Sequence, residues 1–192
     1  QFEKVYGLKV LSDENFIVTV GGIVALYLSL CCLIDKGDEV IIPAPYYVNY
    51  VQMVRCCGGI PVIINTKEED GFAVTVEQIE KAITSKTTAI ILNSPCNPTG
   101  RVLSAETLQK VAAIAEHYDL AVISDEVYKT LVFDGTQYKS IVTFPGMLER
   151  TIVIDSLSKR FAMTGYRVGY AVGPHDMIAN MTKLQENVAA CT

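Results

Sequence analysis

The sequence predicts an α/β fold, a three-layer α/β/α arrangement around a mostly parallel central sheet. Two observations support it. Strand-like and helix-like segments alternate along the 192 residues, as expected when helices cover a parallel sheet. The strand-like segments are continuous apolar runs, which is typical of strands buried on both faces. The length suits one domain with a sizeable core.

The individual elements follow from the positions of apolar runs and turn residues. Apolar runs predict strands at residues 16–20, 39–44, 60–65, 88–93, 120–125, 151–155 and 168–172. Helical patterns follow most of them, at residues 23–33, 46–56, 75–83, 104–117 and from about 175 onward. Thr75 with Gln78 has the spacing of a capping box, and Ser104 is placed to cap the next helix.

Composition excludes several classes of partner. The net charge is −5, half of the residues are hydrophobic and 19% are charged, and no basic block indicates binding to nucleic acid or to an anionic membrane. The longest apolar stretch, residues 21–34, is shorter than the roughly 20 residues that a membrane span needs. No signal peptide is visible. Six cysteines without a disulfide or CxxC spacing predict reduced thiols in the cytoplasm, and two isolated histidines predict no metal site.

Unusual polar residues follow the predicted strands, at the edge where ligands bind in open α/β sheets. They are Gly21-Gly22, Pro45-Tyr46-Tyr47, residues 93–100 (NSPCNPTG), residues 125–128 (DEVY) and residues 156–159 (SLSK). Singly each has an ordinary explanation: Gly21-Gly22 as a tight turn, Asp125 as a helix cap or ion-pair partner, Lys159 as a surface lysine, Arg167 as an ion-pair partner.

Together these residues fit one chemistry. A lysine such as Lys159 can condense with an aldehyde cofactor. A carboxylate such as Asp125 can keep a pyridine nitrogen protonated, so that the ring accepts electrons. A glycine-led helix start, serine hydroxyls and an arginine can hold a phosphate.

The same residues carry a family resemblance. Residues 93–100 (NSPCNPTG), 124–128 (SDEVY) and 156–170 (SLSKRFAMTGYRVGY) resemble the fold-type I, class I/II aminotransferases, and most closely the subgroup that contains bacterial aspartate aminotransferases. Residues 19–22 (TVGG) and 37–47 (GDEVIIPAPYY) extend the resemblance over nearly the whole chain.

The resemblance implies pyridoxal 5′-phosphate as cofactor and assigns roles to ten residues. Lys159 would form the Schiff base and move the substrate proton, Asp125 would pair with the pyridinium nitrogen, and Tyr128 with Asn97 would hydrogen-bond the 3′-oxygen. Tyr47 would stack on the ring. The phosphate would be held by backbone groups of Gly22 and Ile23, the hydroxyls of Ser156 and Ser158, and Arg167. Lys159, Asp125 and Tyr128 are the expected catalytic residues.

Two further expectations come from the resemblance. The peptide bonds before Pro45 and Pro98 are expected to be cis. Cys96 stands where the family usually carries Asn, and we interpret it as a tolerated variant.

The resemblance also bears on the extent and partners of the chain. Residues 1–192 are expected to be the cofactor-binding large domain, truncated at both ends, with the small domain and its substrate-binding arginine absent. The implied reaction transfers an amino group between an L-amino acid and a 2-oxo acid, in a full-length homodimer. Two alternatives stay open: a carbon–sulfur β-lyase on the same scaffold, and a non-catalytic cofactor-binding domain of a transcription regulator. The motifs do not identify the amino acid.

Overall fold

The computed structural model describes residues 6, 7 and 12–189. Its strands form one seven-stranded sheet. They are β1 (Phe16–Val20), β2 (Glu39–Pro43), β3 (Ile60–Ile64), β4 (Thr87–Asn93), β5 (Ala121–Asp125), β6 (Thr151–Ser156) and β7 (Val168–Val172). The α-helices are α1 (Gly22–Leu33), α2 (Asn49–Cys56), α3 (Val76–Ala82), α4 (Ala105–His117), α5 (Leu157–Arg160) and α6 (His175–Val188).

Strand direction decides which residues share an edge of the sheet. The strand order is β1-β7-β6-β5-β4-β2-β3. The neighbours from β6 to β3 pair in parallel, whereas β7 is antiparallel to both β6 and β1. Six strands therefore run in one direction and only β7 is reversed. The prediction of a mostly parallel sheet is confirmed.

Helices cover both faces of this sheet, as predicted. On β2, Val40 and Ile42 belong to one core and Ile41 to the other, because successive side chains of a strand point to opposite faces. The first core includes residues of α1, α2 and α6. The second includes residues of α3 and α4. The three-layer arrangement follows directly from this alternation.

Most predicted bounds agree with the structure to within one or two residues. The Thr75 hydroxyl and the Gln78 side chain form the predicted capping box, and the Ser104 hydroxyl accepts a hydrogen bond from Thr107 N at the start of α4. The helix predicted from residue 46 begins instead at Asn49. Tyr46 and Tyr47 lie in the connection between β2 and α2, where they pack against the first core.

Candidate active site

A cavity of about 250 Å³ opens at the carboxyl edge of the parallel strands. The ten residues named from the sequence come from six separate segments, and all of them line it. They are Gly22, Ile23, Tyr47, Asn97, Asp125, Tyr128, Ser156, Ser158, Lys159 and Arg167. The convergence follows from topology, because the ends of parallel strands meet at one edge of the sheet.

One side of the cavity is suited to an anion. Helix α1 begins there at Gly22, and the first backbone N–H groups of a helix have no partner within it. Gly21 precedes the helix with φ 77°, a value that side chains disfavour. A Cβ on Gly21 would overlap the Arg167 guanidinium. The glycine therefore lets a cation lie directly beside the helix start.

Strand β7 brings its own groups to this side. A Cβ on Gly169 would overlap Gly22 N and Gly21 C, so only glycine allows β7 to approach the turn this closely. Arg167 immediately precedes the strand, and its Nη1 donates to the Thr164 carbonyl oxygen at 2.9 Å. Within residues 6, 7 and 12–189, Arg167 forms no ion pair with a carboxylate.

Ser156 organises the segment that carries Lys159. Its Oγ accepts a hydrogen bond from Ser158 N at 3.1 Å, which caps α5, and donates to the Val168 carbonyl oxygen at 3.1 Å. Ser158 is buried, whereas Lys159 is exposed at the cavity. Helix α5 was not predicted as a separate element, because four residues are too few to show helical periodicity.

Asp125 is held at the end of β5 by two donors. The Tyr50 hydroxyl donates to its Oδ2 at 2.6 Å, and Val127 N donates to its Oδ1 at 3.3 Å. Burial raises the pKa of Asp125 to about 6, against the lowering effect of these two hydrogen bonds. The carboxylate is desolvated, and no cationic side chain in residues 6, 7 and 12–189 pairs with it. This arrangement suits a cationic ligand atom.

Two polar side chains that line the cavity pair with each other. Asn97 Nδ2 donates to the Tyr128 hydroxyl at 3.4 Å. Desolvation, followed by the negative charge of Asp125, raises the pKa of Tyr128. Tyr128 therefore stays protonated and can donate its hydrogen to a ligand oxygen. The Lys159 Nζ lies 5.9 Å from the centre of the Tyr128 ring.

Two residues that organise the site were not among those predicted. Asn93 lies at the end of β4, where its Oδ1 accepts from Asn97 N at 2.7 Å and its Nδ2 donates to the Asp125 carbonyl oxygen at 3.1 Å. Tyr50 is the hydrogen-bond donor to Asp125 and is 1% exposed. Asn93 begins a motif already identified, so its position at the strand end was an available signal. No sequence signal identified Tyr50, because its position fits the buried face of α2 like that of any apolar residue.

The loops around the cavity contain the expected cis peptide bonds. Those before Pro45 and Pro98 are both cis, and so is the bond before Pro95. The Cys96 thiol donates to the Pro45 carbonyl oxygen at 3.4 Å, so this side chain links the two proline loops.

In the described part of the chain, no helix has both the length and the apolar character needed to cross a bilayer. Over residues 6, 7 and 12–189, no three histidine, cysteine or acidic side chains cluster in a way that could hold a metal ion.

Comparison with known proteins identifies the family. The model of the aminotransferase class I and II family matches residues 3–192. The chain therefore belongs to this family.

Individual relatives differ in the substrates that their names state. The chain is 42% identical to an aspartate aminotransferase of Pyrococcus abyssi over 93% of its own length. It is 40% identical to human kynurenine–oxoglutarate transaminase 3 over 97% of its length. The crystal structure of an aromatic aminotransferase from Pyrococcus horikoshii OT3 superposes on 99% of the chain, with a TM-score of 0.96 and 40% identity. The chain spans 46%, 43% and 51% of the length of these three proteins.

Proposed function

We propose that this protein is a pyridoxal-phosphate-dependent aminotransferase, which transfers an amino group between an L-amino acid and a 2-oxo acid. One observation carries the proposal: a single cavity contains an exposed lysine, a desolvated carboxylate and a helix start beside an arginine that has no carboxylate partner among the described residues. The names of the relatives support the reaction class.

The residues that line the cavity offer a suitable partner for each functional group of the cofactor. Lys159 offers the amine for the aldehyde. Asp125 offers the carboxylate for the ring nitrogen, and Asn97 with Tyr128 offers donors for the ring oxygen. The start of α1 with Ser156, Ser158 and Arg167 offers the donors for the phosphate. Tyr47 offers an aromatic face for the ring.

The chemistry of the reaction divides between cofactor and protein. When bound, pyridoxal phosphate supplies an aldehyde and an electron-withdrawing pyridinium ring, which stabilises negative charge at the substrate α-carbon. Asp125 would accept a hydrogen bond from the ring nitrogen and so keep that nitrogen protonated. Tyr50 holds that carboxylate in place. Lys159 would hold the aldehyde group through Nζ, and its amine would carry the proton to and from the substrate α-carbon.

A covalent trapping experiment tests the cofactor site in the full-length protein. Pyridoxal phosphate is added, the protein is reduced with borohydride, and modified peptides are located by mass spectrometry. We expect modification at Lys159, loss of it in Lys159→Ala, and no loss in Lys110→Ala, which alters an exposed lysine of α4. Modification that persists in Lys159→Ala would contradict the assignment.

Product analysis tests the reaction. We expect amino transfer that requires both an amino acid and a 2-oxo acid. Release of pyruvate and ammonia from a cysteine conjugate, without an oxo acid, would instead identify a carbon–sulfur β-lyase. Stoichiometric cofactor binding without turnover of either kind would identify a non-catalytic binding domain.

We further propose that the full-length protein is a cytoplasmic homodimer. Large apolar side chains are exposed close to site residues, with exposed fractions of 69% for Val48, 51% for Phe161 and 72% for Tyr166, and a second subunit would cover them. The described cysteines are free thiols, as expected in a reducing compartment; Cys191 lies outside the described residues. Sedimentation analysis tests the dimer, and cell fractionation tests the location.

A further inference from the structure

A buried charged cluster lies behind the cavity, on residues adjacent in sequence to those that line it. Glu126 follows Asp125 and is 1% exposed, Asp155 precedes Ser156 and is 4% exposed, and Lys129 is 8% exposed. Charged side chains are rarely buried to this degree unless they are paired. None of the three lines the cavity, so the functions proposed above leave them without a role.

Lys129 links the two acidic groups. Its Nζ lies 2.7 Å from Asp155 Oδ2 and donates to the Tyr6 hydroxyl at 2.7 Å. Tyr6 in turn donates to Glu126. The ammonium group also lies 5.0 Å from the centre of the Tyr6 ring and 5.9 Å from that of Tyr170. The ammonium group is thus enclosed by an acid and two aromatic rings, away from solvent.

Asp155 connects this cluster to the cavity. Its Oδ1 accepts a hydrogen bond from Ser156 N at 2.6 Å, while its Oδ2 accepts from the Tyr170 hydroxyl at 2.6 Å and pairs with Lys129. Ser156 is the residue that caps α5 and lines the anion side of the cavity. The carboxylate therefore orients this segment, but it also places a negative charge one residue from the proposed phosphate position.

The two buried carboxylates, Glu126 and Asp155, are stabilised by different kinds of partner. The Ser124 and Ser140 hydroxyls donate to Glu126 Oε1 at 2.9 and 2.5 Å, so hydroxyl groups stabilise this carboxylate. Asp155 is paired with the ammonium group of Lys129. The charges of Asp155 and Glu126 also contribute to the raised pKa of Asp125. The pKa of a carboxyl group in the cavity therefore depends on the charges of Asp155 and Glu126.

We propose that Lys129 is a positioning residue for the cofactor phosphate, which acts through Asp155. By neutralising the Asp155 carboxylate, Lys129 lets this side chain orient Ser156 without repelling a phosphate dianion held next to it. The inference rests on the proposed function, since it names a further determinant of the same site.

The test is a charge series at Lys129 and Asp155 in the full-length protein. The variants are Lys129→Met, Asp155→Asn and the double variant, with Lys110→Met on α4 as a matched control for loss of a paired lysine. Asparagine keeps an oxygen that can accept from Ser156 N. Binding of inorganic phosphate and of pyridoxal phosphate to the apoprotein is measured by calorimetry at pH 8, with binding of unphosphorylated pyridoxal in parallel.

We expect the two single variants to change the affinity for phosphate in opposite directions. Lys129→Met weakens binding of phosphate and of pyridoxal phosphate about tenfold, because it leaves Asp155 uncompensated. Asp155→Asn tightens both several-fold, because it leaves Lys129 uncompensated. The double variant returns to within about twofold of the unmodified protein, and pyridoxal binding changes by less than about twofold throughout. These fold-changes are the order expected for one buried charge near a second.

A purely structural role gives a different pattern. Both single variants would then weaken binding of phosphate and pyridoxal alike, and this result would overturn the proposal, as would equal phosphate affinity in all variants. If Lys129→Met does not fold, as judged by thermal unfolding, Asp155→Asn decides the question: tighter phosphate binding supports the proposal, and unchanged or weaker binding refutes it. Failure of the unmodified protein to bind pyridoxal phosphate at Lys159 would count against the proposed function instead.

Discussion

Replacing Tyr50 with Phe tests how the protein sets the charge of Asp125. The substitution removes the hydroxyl that donates to Asp125 Oδ2 at 2.6 Å. It keeps the ring, which packs edge-on against Tyr47 at 5.7 Å between centres and an interplanar angle of 81°. Tyr50→Phe therefore alters one hydrogen bond and little of the packing.

The magnitude follows from the strength of that bond. A hydrogen bond to a charged group contributes roughly 1.5–3 kcal/mol, and one pKa unit corresponds to about 1.4 kcal/mol. The pKa of Asp125, about 6 with Tyr50 in place, should therefore rise by roughly one to two units. At pH 7 a carboxyl group with a pKa of about 6 is roughly 90% ionised, and one with a pKa of about 7.5 only roughly 25%.

The consequence is a shift in the pH dependence of cofactor binding. Only the ionised carboxylate pairs with a protonated ring nitrogen, so at pH 7 we expect roughly fourfold weaker binding of pyridoxal phosphate in Tyr50→Phe. Near pH 9 the affinities should converge. The assay is a cofactor titration of the full-length apoprotein from pH 5 to pH 9, followed by absorbance. Tyr46→Phe, in the connection that precedes α2, is the control and should leave the profile unchanged.

Stability of the apoprotein gives a second measurement. Because the folded-state pKa of Asp125 lies above that of an unfolded chain, its contribution to stability is present below about pH 4 and is lost as pH rises through about 6. In Tyr50→Phe the loss should continue to higher pH, so the difference in melting temperature should widen between pH 5 and pH 8. A binding profile and a melting difference that are both independent of pH would refute the reasoning.

Three further predictions follow from the same geometry. Gly169→Ala should destabilise the protein by several kcal/mol, because its Cβ would overlap the backbone at Gly22, whereas Gly165→Ala, which meets no atom within 4 Å, should be neutral; thermal unfolding compares them. Arg167→Met should weaken binding of pyridoxal phosphate at least about tenfold, in the range of a lost charge-assisted contact, but leave pyridoxal binding unchanged; equal losses for both ligands would contradict a phosphate role. Ser104→Ala should lower the free energy of unfolding by about 1 kcal/mol through loss of the α4 cap, and a denaturant titration with no change in midpoint would argue against it.

The local pattern of the sequence was sufficient for most of the fold. The apolar runs around Ile41 and Ile90 contribute residues to both cores. Continuous apolar runs of this kind indicate strands that are covered on both faces. The caps at Thr75 and Ser104 are likewise local, because the capping residue and its partner lie three positions apart. The start of α2 was misplaced by three residues, since Tyr46 and Tyr47 suit either a helix or a connection by composition alone.

Part of the candidate site could likewise be predicted from the sequence, and part could not. Asp125 ends a strand of the parallel set, and Asn97 and Lys159 follow two others, so their meeting at one edge could be expected once the strands were recognised. Helix α5, which presents Lys159, was not expected, because its four residues are too few to show helical periodicity.

The sequence by itself determined the strands, the caps and the identity of the polar residues at the strand ends, because all of these depend on neighbours within a few positions. Only the tertiary structure decided the reversed direction of β7, which brings Arg167 and Gly169 to the same edge as Gly22. It also decided the pairing of Tyr50 with Asp125, 75 positions apart, and that of Lys129 with Asp155. A hydrogen bond or ion pair forms only between groups that the fold brings within about 3 Å of each other. That distance cannot be predicted from the residues next to each group in the sequence.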